Sequence, residues 1–189
     1  MDRYIFLDID GVLNDHISHA NGYSGIKKEC VDNLNAIIDA VPDVKIVISS
    51  AWRYMVLRKS MTILGFEHML LICGVNCEGR IHGYTISDED VDVSDEQLEQ
   101  CKNLYEVGLV ERVNEIRQHM SLCEKDSMFV VLDDLPLDMP ELIRVDCNTG
   151  MTSDDAAVAI EMLGGYQFHG RAEFTLTRDP TITFPTPTN

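Results

Sequence analysis

Short apolar runs and helical stripes alternate along this chain. Residues 3–8 form an apolar, β-prone run that reads as a buried strand, and a polar, glycine-bearing loop follows at 14–25. Residues 27–40 carry Val31, Leu34, Ile37 and Ile38 on one helical stripe, and Pro42 and Asp43 break it. Residues 44–48 read as a second strand. Residues 52–64 read as a helix stopped by Gly65, and the apolar run 69–75 as a third strand. The stretch 76–101 is acidic and lacks a period, which marks it as a small insertion, a flap or lid. A helix is predicted over 102–122, strands over 128–132 and 142–145, and a last helix from an N-cap at Ser153 to Leu163, ended by Gly164 and Gly165. The alternation predicts an α/β fold, doubly wound and Rossmann-like, in three layers around a mainly parallel sheet. The expected core is 1–169. Residues 170–189, rich in Thr and Pro, read as an extended or disordered tail.

In such sheets, sites lie beyond the carboxyl ends of the strands. Three predicted strands end in polar residues suited to one site: Asp8 and Asp10, Ser49 and Ser50, Asp133 and Asp134. Gly11 allows a sharp turn after the first pair. Side chains at i and i+2 of a strand share a face, so Asp8 and Asp10 are expected close together. Two carboxylates at that distance repel unless a cation neutralises them, and Mg²⁺ suits an all-oxygen set. An Asp-Gly turn alone would explain one of these strand ends. It does not explain three on one edge.

These residues resemble the haloacid dehalogenase (HAD) superfamily of phosphohydrolases. Asp8-Ile9-Asp10-Gly11-Val12 is similar to its first motif, Val47-Ile48-Ser49 to its second, and Val130-Val131-Leu132-Asp133-Asp134 to its fourth. The Lys or Arg of the third motif is poorly marked; Arg112 is the first choice, with Lys102 and Lys125 behind it. A narrower resemblance runs through Ser49-Ser50-Ala51-Trp52-Arg53 and Thr149-Gly150-Met151-Thr152, to the HAD domain of Swiss-Army-knife RNA repair proteins. No GxxxxGK[ST] loop is present, so a repair role would be phosphate removal alone.

The resemblance implies a Mg²⁺-dependent phosphatase with Asp8 as nucleophile and Asp10 as general acid–base. Asp8, the main-chain carbonyl of Asp10, and Asp133 or Asp134 would hold Mg²⁺, with Asp134 slightly favoured. The other acid would orient a cation. Ser49 would donate to a phosphoryl oxygen, Arg112 would balance its charge, and Gly11 and Ser50 would contact substrate. Arg53 either grips a substrate phosphate or forms an ion pair with acidic loops. Trp52 either stacks on a base or packs. Asn14 is a turn residue or a hydrogen-bonding support. His16, His19 and His82 read as solvated loop residues near the site.

Composition narrows the partners. Formal charge is −17, from 15 basic and 32 acidic residues, which argues against tight nonspecific nucleic-acid binding. A phosphorylated small molecule or a nucleic-acid end remains open. The six cysteines form no CxxC pair or zinc set and are expected as thiols. No run is long enough to span a membrane and the N-terminus has no signal-peptide pattern, so a cytoplasmic location is expected. The rival reading is a catalytically silent HAD-like protein that binds a ligand or partner. Intact Asp8 and Asp10 speak against it.

Overall fold

A computed structural model describes residues 1–15, 25–87 and 90–165. Five parallel strands, β1 (Arg3–Leu7), β2 (Lys45–Ile48), β3 (Ile81–Tyr84), β4 (Met128–Asp133) and β5 (Leu142–Arg144), form one sheet in the order β3-β2-β1-β4-β5. The helices are α1 (Lys28–Ala40), α2 (Tyr54–Leu57), α3 (Ile63–Ile72), α4 (Asp95–Gln100), α5 (Leu104–Ser121) and α6 (Ser153–Met162), with a 3₁₀ turn at Ala51–Arg53.

Alternation along β1 divides the core. Ile5 and Leu7 join Val31, Leu34, Ile37 and Ile38 of α1, Phe66 and Leu70 of α3, and Ala156, Ala159 and Ile160 of α6. Tyr4 and Phe6 join Val47, Val131 and Ile116 of α5 on the other face. The α/β, doubly wound expectation therefore holds. Register then positions the site. Leu7 pairs with Ile48 on one side and Leu132 on the other. The next residues, Asp8, Ser49 and Asp133, emerge level at the carboxyl edge.

The third strand is not where the apolar run placed it. Residues 69–72 are the end of α3, while β3 lies inside the expected insertion. A short apolar run fits a buried helix segment as well as a strand, and periodicity does not separate them. Strand β3 is a four-residue edge strand, Ile-His-Gly-Tyr, with no apolar run to announce it. Gly65 does not stop a helix; its N–H donates to the capping Oγ1 of Thr62 at 3.0 Å. The last helix starts as expected, but its cap is Thr152, in a reciprocal box with Asp155. His16, His19 and the 170–189 tail lie outside the described residues. No described helix is long and apolar enough to cross a membrane.

Candidate active site

Asp8 follows β1, Asp133 ends β4, and Asp134 comes next. Each offers a carboxylate oxygen, and these oxygens lie within 4.8 Å of one another. Asp8 and Asp133 are buried. Burial pushes the Asp8 carboxyl above its ordinary value. The nearby Arg112 charge and hydrogen bonds from Ser50 and the Ile9 N–H oppose this, and Asp10 adds to it. Burial, then the charge of Asp8, pushes Asp133 up to about 7, against Arg112 and the Leu135 N–H. Among the described residues, these three crowded carboxylates stand beside the Arg112 guanidinium. An all-oxygen donor set of this kind fits a hard divalent cation.

Gly11 makes the crowding possible. Its φ is +81°, and a Cβ there would lie 2.7 Å from Cγ and Oδ2 of Asp134. Only glycine lets the turn after β1 close against that carboxylate.

Asp10 stands apart from the acid cluster. Strand β1 ends at Leu7, so Asp8 and Asp10 do not share a strand face as the i, i+2 rule suggested. Nor is the Asp10 carboxylate one of the three clustered ones. Its side chain is instead aimed by two donors. Trp52 Nε1–H donates to Oδ2 at 2.8 Å, and Asn14 Nδ2–H donates to Oδ1 at 2.8 Å. Asn14 Oδ1 accepts from the Gly11 N–H at 2.8 Å, so one amide serves both the turn and Asp10. Trp52, whose ring packs against the core, thus also holds a carboxylate through its ring N–H.

The two serine hydroxyls differ in their partners. Ser50, rather than Ser49, hydrogen-bonds Asp8. Ser50 Oγ also accepts from the Trp52 N–H at 3.3 Å. Ser49 Oγ is buried without a hydrogen-bond partner among the described residues. Its carbonyl accepts from Arg53.

Arg53 is not presented to a substrate. It is 3% exposed, and its Nη2 bonds Oε1 of Glu115 at 2.7 Å. Its Nη1 donates to the carbonyls of Ser49 and Ser50, both at 3.1 Å, and Nε to that of Ile86 at 3.3 Å. The ion-pair alternative therefore holds, with a buried helix residue in place of an acidic loop. Glu115 Oε2 accepts from Thr85 Oγ1 at 3.1 Å and lies 3.8 Å from Arg112 Nε. Arg112 Nη1 in turn bonds Asp133 Oδ2 at 3.0 Å. Burial works against the Arg112 charge, but Asp133, Asp8 and Glu115 outweigh it and hold its pKa above the ordinary value. A chain of alternating charge, Arg53–Glu115–Arg112–Asp133, runs from the serine loop to the acid cluster. Arg112, the first choice for the third motif, is thus brought to the site. Lys102 and Lys125 are exposed and make no contact with the cluster.

Glu115 and Thr85 were not singled out from the sequence. Glu115 stands three residues after Arg112 on α5, a spacing that places the two side chains on one helix face and could have revealed it. His82 lies in β3, not in a loop at the site, and stacks on Tyr4 with ring centroids 5.4 Å apart. All six cysteines are free thiols.

No curated protein and no solved structure matches the chain. Residues 4–156, which include every site residue above, match the family described as the HAD domain in Swiss Army Knife RNA repair proteins, and the chain belongs to that family.

Proposed function

We propose that the protein is a Mg²⁺-dependent phosphatase that works through an aspartyl-phosphate on Asp8. The family supports HAD-type phosphohydrolase chemistry in general. The observation that carries the finer reading is the convergence of Asp8, Asp133 and Asp134 beside Arg112. Asp8, Asp133 and Asp134 would hold the Mg²⁺, which when bound neutralises repulsion between carboxylate and phosphate.

An Asp8 oxygen attacks phosphorus and the bond to the leaving oxygen breaks. Asp10 gives its proton to that oxygen. Asp10 then takes a proton from the water that attacks the phosphoryl group. The bond to Asp8 breaks, releasing phosphate, restoring the Asp8 carboxylate and leaving Asp10 protonated as at the start. Trp52 and Asn14 hold Asp10 in one orientation through both steps. Ser50 orients Asp8, while Arg112 steadies Asp133 and balances negative charge at the transferred group. The substrate is a phosphorylated small molecule or a nucleic-acid end.

Phosphate release from p-nitrophenyl phosphate, nucleotides and 3′- or 5′-phosphorylated oligonucleotides tests this, with and without Mg²⁺. Wild type should turn over only with the metal, and Asp8→Asn should lose at least about 10³-fold. Equal activity in the two proteins would remove Asp8 as nucleophile. No release from any substrate would favour a silent binding protein.

A further inference from the structure

We propose that the cavity beyond β5 is a subsite for a second phosphoryl group of the substrate, with Arg144 as its specificity-determining residue. This rests on the phosphatase reading. The cavity has a volume of about 340 Å³ and is lined by Asp134, Arg144, Val145, Asp146, Cys147 and Asn148. Asp134 also belongs to the acid cluster, so the cavity adjoins the reacting position.

Arg144 is the cation on its wall. Its Nε donates to the main-chain carbonyl of Asp134 at 3.2 Å, which ties the guanidinium to the site. Its Nη groups form no ion pair within 4.0 Å among the described residues, a property of the structure's charges that sets it apart from Arg53 and Arg112. Asp146 on the same wall is engaged in its own turn, its Oδ1 accepting from the Asn148 N–H at 2.9 Å and from Asn148 Nδ2 at 2.8 Å; these bonds first, and the Arg144 charge after them, hold its carboxyl below the ordinary value. The wall is also fixed to the catalytic loop. Met151 N–H donates to Val12 O at 2.8 Å, and Gly150, with φ +73°, sits so close that a Cβ would lie 2.6 Å from Cys30 Sγ. This close approach accounts for the glycine of the Thr149-Gly150-Met151-Thr152 segment.

A guanidinium fork fixed on one edge and open at its ends suits a phosphate. In a chain of charge −17, a second anion would be held only where such a cation is local. Two sources supply that chemistry: the phosphodiester next to a nucleic-acid terminal phosphate, or the second phosphate of a nucleoside bisphosphate.

Wild type, Arg144→Gln and Arg144→Lys are compared on four substrates: a 5′-phosphorylated dinucleotide, a nucleoside 3′,5′-bisphosphate, a nucleoside 5′-monophosphate and p-nitrophenyl phosphate. Arg144→Gln should lower kcat/KM for the two substrates with a second phosphoryl group about tenfold more than for the other two, chiefly through KM, and Arg144→Lys should recover part of it. Of those two, the substrate with the larger effect identifies the source. Binding of the dinucleotide to Asp8→Asn should weaken about tenfold when Arg144→Gln is added. An equal fall on all four substrates, or no fall on any, overturns the subsite. Arg144-dependent binding by a wild type inactive on all four would keep the subsite and overturn the phosphatase reading.

Discussion

The acid cluster has two unlike flanks. Toward α5, Asp133 leads into Arg112, Glu115 and Arg53, a sealed row of paired charges. Toward the loop after β1, Asp10 is half-buried and held only by single hydrogen bonds from Trp52 and Asn14. Arg53, Glu115 and Asp133 on this flank are buried, and their pairing fixes the strand ends and supplies charge. The open flank can exchange a proton but contributes little to the fold. Damage to the first should therefore appear as lost stability, and damage to the second as lost rate.

The largest effect is expected at Glu115. Glu115→Ala strips the buried Arg53 and the half-buried Arg112 of their shared carboxylate, and denaturant unfolding should register a loss of about 3–5 kcal/mol. A loss under about 1 kcal/mol would mean the row is not a sealed unit. Gly11→Ala comes next. It meets both a left-handed backbone and the Asp134 carboxylate, so about 1–3 kcal/mol of strain is expected, with weakened Mg²⁺ binding by calorimetry. Trp52→Phe keeps the ring and removes the donor to Asp10. It should cut kcat about tenfold while shifting unfolding by less than about 1 kcal/mol. The reverse pattern would erase the contrast between the flanks.

The smallest expected change is a slope. In metal-free protein, Asp8 and Asp133 are raised above 3.8, Asp133 to about 7. Between those values the folded state binds more protons than the unfolded one, so their stabilising contribution is full below 3.8 and is lost as pH rises through about 7. Asp8→Asn removes one titrating group and the second-largest cause of the Asp133 shift. Melting in EDTA should show the variant gaining on wild type as pH rises through that window, and added Mg²⁺ should reverse the order. A gap that does not change with pH would contradict the crowding.

Most of the sheet was legible because β1, β2 and β4 are buried runs with polar ends, and buried strands announce themselves that way. The exception, β3, is a short edge strand with too few buried positions to leave a pattern. At the site, Asp8, Asp10, Gly11, Arg112, Asp133 and Asp134 were named from strand ends and motif resemblance. Ser50's approach to Asp8 was not, because the residue that turns toward a neighbour just past a strand depends on the following turn. Glu115 and the Trp52–Asp10 hydrogen bond were not foreseen for a common reason. Each side chain acts on a partner 62 or 42 residues away in the chain, and such contacts exist only once the sheet has formed.

The central claim, that Asp8 takes up the phosphoryl group while Asp10 handles protons, has one direct test. p-Nitrophenolate leaves without needing a proton, so Asp10→Asn should still be phosphorylated by p-nitrophenyl phosphate and Mg²⁺ but hydrolyse slowly. Acid-quenched peptide mass spectrometry should find one phosphoryl group on Asp8. Phosphate on another residue, or none on Asp8 while wild type turns over, would contradict the account.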